Sequence, residues 1–454
     1  MTNGTGDAGR GSPTMEAPVE RSGAQLEGNP MDADRRAVRL LGTLSLAAAL
    51  AGCGGGAGPA ATSTASTPRS APATTAPVVS ATVPTPPVTI APTAVPVGAT
   101  WRAVPTPTGW GISSSAVTAG GPAWTALSPP ASGSAPAAWT STDAVTWQAG
   151  PTLPLPHGST SDNVVAMTSA GTDVLGLGVT GDNGAIVWRS RAGGPWTVIG
   201  SGALFDLGPC VEGCASATSI AAGAAGIAIA GYRVKPVGSR YDLETDLWTS
   251  RDGTTWARTA APVPAGSSDR PAAEIAVAAL GDRFIAAGAT CDSSGTVCRA
   301  VVWTSTGGGP WSAPVNLPGG TGAAAHHVAA GPGGVVVLGM RRSGIDWRLA
   351  AWTLDEGGRW ALSDLDGSYV EGSTRQAVAG DTFVVVTSRD DGTVRVWIST
   401  DRRHWAPQAV LPGLDRTQPL GQLIGLVGRP GQLLAIGWVT EPGDKPGGGF
   451  WVSP

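Results

Sequence analysis

The chain is poor in the residues that most enzyme chemistry needs. Its 454 residues include 4 His, 5 Cys, 3 Tyr, 4 Phe and 5 Met, and charged residues make up 14%. The histidines are scattered; only His326 and His327 are adjacent. The cysteine spacings are not those of a zinc site, and no His stands near a cysteine pair. No nucleophile elbow and no phosphate-binding glycine loop occurs, so the commonest signatures of hydrolases and nucleotide-binding enzymes are missing. The net charge is −4 with no basic run, which argues against nucleic acid as a partner. The apolar stretch at residues 40–50 is too short to span a bilayer as a stable helix. No cofactor and no metal is expected.

Tryptophan is what the chain has instead, 18 in all. Six pairs stand eight residues apart: Trp139/Trp147, Trp188/Trp196, Trp248/Trp256, Trp303/Trp311, Trp352/Trp360 and Trp397/Trp405. By subtraction, the first members are 49, 60, 55, 49 and 45 residues apart. A period of about 40–50 residues marks a propeller or a solenoid. The pairs sit in near-copies of one phrase, WTSTDAVTW at Trp139, WTSRDGTTW at Trp248 and WISTDRRHW at Trp397. Two residues after the first Trp stands Ser141, Ser190, Ser250, Ser305 or Ser399, with Leu354 as the exception. Five residues after it stands Gly193, Gly253, Gly308 or Gly357 in four of the six units. Ser opening a type I turn and Gly in a left-handed third position predict a β-hairpin with a three-residue loop. The two tryptophans are then expected to face each other across the strands, as packing. A helix is excluded by the Gly and Ser-Thr clusters and by short β-rich flanks such as GIAIAG and GVVVLG.

The phrase W-x-S-x-D-G-x-x-W resembles the Asp-box, or BNR repeat, of sialidase-like β-propellers. That repeat reads S-x-D-x-G-x-x-W, so this chain is one residue shorter between Asp and Trp. Asp143, Asp252 and Asp401 hold the Asp position, Glu356 is a near match, and Ala192 and Gly307 depart from it. The resemblance covers the hairpins only and implies the fold rather than an activity.

Each unit reads as four short strands, as in VVAMTSAG, DVLGLGVTG, AIVWRSR and WTVIG over 164–200; this is the strand count of a propeller blade. The last unit ends at QLIGLVG, QLLAIGW and GFWVSP, with Trp451 and Ser453 but no fourth strand. Trp101, in WRAVPTP, is similar in setting to the fourth strands WQAGPTLP and WARTAAPVP. Trp101 is therefore expected to partner Trp451, so that the N-terminal strand closes the last blade and removes the open edges. The expectation is an all-β, seven-bladed β-propeller over 99–454. A six-bladed ring with a frayed tail is the alternative.

Residues 1–52 read as a cytoplasmic extension and signal peptide. Arg35, Arg36 and Arg39 precede the apolar stretch, which ends in Leu50-Ala51-Gly52-Cys53. This segment resembles the lipobox of bacterial lipoproteins, which implies cleavage before Cys53 and a diacylglycerol thioether on its sulfur. Several acyl chains anchor a protein where one does not. Met31 is the expected start, and Asp34-Arg35-Arg36 matches a twin-arginine signal poorly. Residues 53–98 are rich in Ala, Thr, Pro and Ser with Arg69 as the single charge; they read as a disordered, extended tether with Thr and Ser open to O-glycosylation. The protein is expected as a monomer, lipid-anchored to the cell membrane on its extracytoplasmic side. The remaining cysteines, Cys210, Cys214, Cys291 and Cys298, fit two local disulfides in an oxidising compartment. Metal binding is the rival reading.

In the family it resembles, ligands bind where the strand 4→1 and 2→3 connections meet around the channel. Here the long connections are 201–217, 232–245 (YRVKPVGSRYDLET), CDSSGTVC and MRRSGIDWR. They carry Tyr232, Arg233, Lys235, Arg240, Tyr241, Arg341, Arg342 and Trp347. Cations beside aromatics suit an anionic or sugar-like ligand, or a protein hot spot; ordinary solvated loop charge is the other reading. Glu274, His326 and Arg375 take comparable places in three successive blades. They form a candidate channel mouth, or are ring-lining residues satisfied by one another. The sialidases that share Asp-boxes use an arginine triad, a Tyr-Glu pair, an acidic residue and a Phe/Tyr-Arg-Ile-Pro motif. That motif is missing, and only Tyr232, Tyr241 or Tyr369 could serve as the tyrosine. Glycoside hydrolysis needs two carboxylates about 5–9 Å apart, and nothing marks out such candidates as Asp242 and Glu244. The expectation is a binding or protein-interaction module for a protein or cell-envelope glycan. A sialidase-like glycoside hydrolase and an envelope assembly factor are the alternatives.

Overall fold

The computed structural model describes residues 101–111, 116–121, 123–129, 135–156, 161–180, 184–202, 205, 217–237, 240–264, 267–272, 274–293, 295, 297–355, 357–368, 374–388, 394–408, 422–441 and 445–453. Cys53, the lipobox, the tether, Cys210, Cys214, Glu356 and Tyr369 lie outside them.

The described residues form seven antiparallel sheets in a ring, a seven-bladed β-propeller. Blades 1 to 6 occupy 116–152, 161–200, 217–260, 270–316, 323–368 and 375–408; blade 7 joins 422–453 to 102–104. The two middle strands of a blade are covered on both faces by neighbouring blades, so they read as unbroken apolar runs. Val335, Val336, Val337 and Leu338 are all buried, for example. Apolar side chains gather in seven clusters, one at each seam between blades.

The first tryptophan of each unit leans on the preceding blade. Trp188 joins Leu127 and Ala138 of blade 1, Trp397 joins Val336 and Leu349 of blade 5, and Trp139 joins Leu434 and Ile436 of blade 7. Trp188, Trp303 and Trp352 also donate their indole N–H to the carbonyls of Pro154, Pro262 and Pro318, at 2.8, 2.8 and 2.6 Å, in the connection leading into their blade. These rings are buried mortar between blades. Glycine makes room for them: a Cβ on Gly449 would stand 2.2 Å from the Trp451 ring.

The expected face-to-face pairing of tryptophans is corrected by the register. The second Trp stands opposite the residue two after the first, as in Ser190↔Trp196, Leu354↔Trp360 and Ser305↔Trp311. It is therefore a diagonal neighbour of the first rather than its direct partner. The same correction applies to Trp397 and Trp405. Trp397 stands opposite Pro407, not Trp405. Trp405 lies just ahead of the short fourth strand Ala406–Gln408 rather than within it. Trp147 and Trp256 likewise precede their fourth strands, Gln148–Thr152 and Ala257–Ala260. The reason is that the turn occupies the residues up to the second Trp, so pairing starts only after it. Trp405 still packs, half-buried, against the cluster between blades 5 and 6 that holds Trp397. In blades 1 and 3 a third aromatic fills the gap between the pair. Trp110 lies 5.7 and 6.2 Å from Trp139 and Trp147, and Phe205 lies 6.1 and 5.2 Å from Trp248 and Trp256.

The ends close as the sequence suggests. Arg102–Val104 pairs with Lys445–Ser453 as the outermost strand of blade 7, with Arg102↔Val452 and Ala103↔Trp451. One residue further along that register, Trp101 meets Ser453, the same diagonal relation to the first Trp of its unit.

The hairpins use two turn chemistries. In blades 1 and 3, Asp143 and Asp252 accept hydrogen bonds from two following amides and from the preceding serine hydroxyl. Those amides hold both carboxyls well below the usual carboxylate range. In blades 2 and 4, where no Asp is present, Ala192-Gly193 and Gly307-Gly308 have successive positive φ angles of 49°, 75°, 58° and 68°, the mark of a type I′ turn. Gly193, Gly253 and Gly308 are left-handed as expected; in blade 5 the residue is Gly358 rather than Gly357. Ala144 and Arg402 hold the same conformation without glycine.

Candidate functional site

Two segments expected as loops are strands. In blade 3, Gly226–Val237 and Arg240–Ser250 pair without interruption from Ile227↔Ser250 to Val237↔Arg240. In blade 5, Gly334–Ser343 and Asp346–Leu354 pair out to Ser343↔Asp346. They form hairpin arms on the face that carries the 2→3 connections. In blade 4 the arm ends at a disulfide between the directly opposed Cys291 and Cys298. The backbone at Lys235, Arg240 and Tyr241 is strand, and their side chains lie outside the described set.

The arm cations have different roles. Arg233 forms ion pairs with Asp246 and, at 2.6 Å, with Glu244. Asp246 is 1% exposed. Burial pushes its carboxyl above the usual range, with Arg233 acting against that shift. Arg341 is likewise held by Asp364 in a two-point pair. Arg342 stands directly opposite Trp347 and donates to Gly344 O at 3.1 Å. Trp347 is 42% exposed and Ile345, at the tip, 88%. The first tryptophans of the repeat are all buried, so Trp347 differs from them in kind.

Of the three candidates at the channel, Glu274 and His326 touch, and Arg375 reaches toward blade 7. Glu274 leads into the first strand of blade 4, His326 lies on that of blade 5, and Arg375 opens that of blade 6. His326 Nδ1 is hydrogen-bonded to Glu274 Oε2. Arg375 donates from Nε to Ile424 O of blade 7 at 3.1 Å and from Nη1 to Thr374 O at 2.8 Å. Thr218 and Ser169 bridge neighbouring first strands in the same way, to Ile275 O and Ala119 O. A register shift between Ala325 and His327 marks a bulge, which breaks the alternation of faces at the two histidines.

Sequence reasoning did not select His327. It is reached by solvent only in part and is surrounded by protein. Burial, then the charges of Arg375 and His326, push it down to about 3. Tyr232 belongs to the same neighbourhood: burial raises its hydroxyl pKa and the Glu274 charge adds to the rise. The Glu274–His326 pair, with Tyr232 and His327 close enough to feel the Glu274 charge, places a carboxylate and an imidazole side by side at the start of the first strands of blades 4 and 5. The signal that could have found His327 is the adjacent His pair in a strand that is otherwise mostly alanine.

The His327 shift carries a pH signature. An unfolded histidine takes up a proton near pH 6.5, while the folded one resists down to about 3. The unfolded state therefore binds more protons between these values, and stability is lost as pH falls through this window. His327→Gln is expected to flatten the fall of the urea midpoint between pH 7 and pH 4; equal slopes in both proteins would exclude this origin.

No protein-family model matches the chain, and no curated protein matches it. Among solved structures it is similar to Trypanosoma rangeli sialidase in complex with the inhibitor DANA, at 9% identity and a TM-score of 0.40 over 76% of this chain and 55% of that one. It is similar to the Aleuria aurantia lectin, a six-bladed β-propeller with a fucose recognition mode, at 14% identity and 0.39 over 70% and 98%. It is also similar to the GH93 α-L-arabinofuranosidase of Fusarium graminearum with arabinobiose, at 16% identity and 0.39 over 62% and 89%. The chain thus spans little more than half the length of the sialidase. Likeness at this level carries no argument about activity, and the seven-bladed ring rests on the chain's own sheets, seams and closure.

Proposed function

We propose that the protein is a membrane-anchored, extracytoplasmic binding module. Cys53 is its lipidation site, 53–98 its tether, and the Ser-x-Asp hairpins its Asp-boxes. Its ligand, a protein or a cell-envelope glycan, meets the face of the hairpin arms. The observation that carries this reading is Trp347, an exposed indole directly opposite Arg342 on a paired and therefore ordered arm. An aromatic plane beside a guanidinium is the composition of an interface hot spot and suits stacking on a sugar. The test is a glycan array and an envelope-protein pull-down with the full chain, followed by titration of whatever binds. Trp347→Ala is expected to weaken binding at least about tenfold without loss of folding, since the ring packs in no core cluster. Unchanged affinity in that variant would remove the arm from the site. An assembly factor would declare itself as a protein captured through the same residues.

A glycoside hydrolase is the second reading, favoured by the Glu274–His326 pair. A carboxyl bonded to an imidazole in a channel mouth can hold and move a proton. Glycoside turnover that disappears in Glu274→Gln would establish it and displace the binding reading.

A further inference from the structure

The face opposite the arms, where the tryptophan hairpins lie, carries a second polar site. At three seams an arginine ties one blade to the next hairpin. Arg189 Nη1 donates to Asp252 O at 3.2 Å, Arg251 Nε to Gly307 O at 2.9 Å, and Arg429 Nη2 to Thr142 O at 3.0 Å. Arg189 and Arg251 stand one and three residues after the first Trp of their units. In blade 5 these positions are Thr353 and Asp355. No arginine of blade 5 crosses there among the described residues, and a cavity of about 480 Å³ opens between the hairpins of blades 5 and 6.

Its blade 6 wall holds Arg402, Arg403 and His404. Arg402 adopts a φ of 65° where the hairpins of blades 2, 3 and 4 have glycine, a conformation costly for a residue with a side chain. Its guanidinium lies against Gly334 of blade 5, where a Cβ would come within 2.1 Å of Nη1. Glycine at 334 is therefore what lets Arg402 lie across the seam. Among the described residues neither guanidinium, of Arg402 or of Arg403, has a hydrogen bond or an ion pair.

The acids of the cavity, by contrast, are committed. Asp401 accepts from the Ser399 hydroxyl, from the amides of Arg403 and His404, and at 2.5 Å from His404 Nδ1. Asp355 accepts from the Arg359 amide at 2.7 Å and pairs with that guanidinium at 3.6 Å. The Arg359 amide holds the Asp355 carboxyl below its usual range; the Arg403 charge acts on it only from a distance.

We propose that this seam binds a phosphate group, taken either from a small phosphate or from a phosphodiester polymer. Two uncommitted guanidiniums on one wall of the cavity match the donors that a tetrahedral oxyanion accepts. The site faces away from the arms and does not depend on their function.

The experiment is calorimetric titration of the full chain at low ionic strength, once with inorganic phosphate and once with poly(glycerol phosphate). Saturable binding is expected, weakened at least about tenfold by Arg403→Gln and by Arg402→Gly. The second change suits the left-handed backbone, so its loss of binding cannot be put down to misfolding. Arg283→Gln, the same charge change at an exposed strand end of blade 4, is expected to leave affinity intact. Binding of the polymer alone assigns a polymeric ligand; binding of inorganic phosphate assigns a small one. Failure of both probes to bind, or equal weakening by Arg283→Gln and Arg403→Gln, overturns the proposal.

Discussion

Deletion of residues 100–105 is expected to abolish cooperative folding of the propeller. The segment supplies the outermost strand of blade 7, paired from Arg102↔Val452 to Val104↔Phe450. Its two buried side chains serve different seams: Trp101 packs in the cluster between blades 6 and 7, and Val104 in that between blades 7 and 1. Removal bares the edge of 450–453, which carries Phe450, Trp451 and Val452, and leaves two interblade cavities. Losing a buried Trp alone costs about 3–5 kcal/mol, against a total stability of about 5–15 kcal/mol. An unpaired apolar edge also invites association with other chains. Urea unfolding and limited proteolysis provide the readout, with Trp101→Ala as the milder variant. A deletion protein with the wild-type midpoint would show that the ring does not need this strand.

Arg233→Ala is expected to cost about 3–5 kcal/mol at pH 7. The substitution strands Asp246, which is almost wholly buried and bonded to Arg233. Burial already raises the Asp246 pKa, so protonation relieves the stranded charge, and the deficit shrinks as the pH is lowered. Asp246→Asn is expected to cost less, because Arg233 keeps Glu244 and some exposure to water. Chemical denaturation of both variants at pH 7 and pH 5 decides the matter. A larger loss in Asp246→Asn than in Arg233→Ala would contradict the account, as would a pH-independent deficit.

The hairpin tryptophans were the legible part of this molecule, because each blade needs the same ring at the same seam and so repeats it in the chain. Their mutual placement was not legible. An eight-residue spacing fits a face-to-face pair as well as a diagonal one, and only the register with Ser190, Ser305 and Leu354 separates the two. Where the turn runs up to the second ring, as at Trp405, the spacing also conceals that the fourth strand starts one residue later. The arms were misread as loops because alternation betrays a strand only when one face is buried. Beyond the ring, the residues around Ile345 and Trp347 are exposed on both sides, and no hydrophobic period remains to be seen.

The channel site was half legible. Glu274, His326 and Arg375 could be placed by counting along equivalent strands; Glu274 and His326 touch, while Arg375 turns to the carbonyls of Thr374 and Ile424. The bulge between Ala325 and His327 leaves no mark in composition. The cavity between blades 5 and 6 left none either, since its walls come from hairpins of two different blades.

The sequence by itself determined the repeat and the structural role of its tryptophans and pointed to closure through Trp101 and Trp451. These are repetitive, local features, and repetition is what a chain records directly. The seven sheets decided the blade number against six. Only the tertiary structure decided which charges are consumed by partners and which face open space. Arg233 and Arg341 are spent on buried or neighbouring acids, while Arg402 and Arg403 line a cavity with no partner among the described residues. Charge pairing is settled by residues far apart in the chain and brought together at the blade seams, and one-dimensional order does not contain those distances.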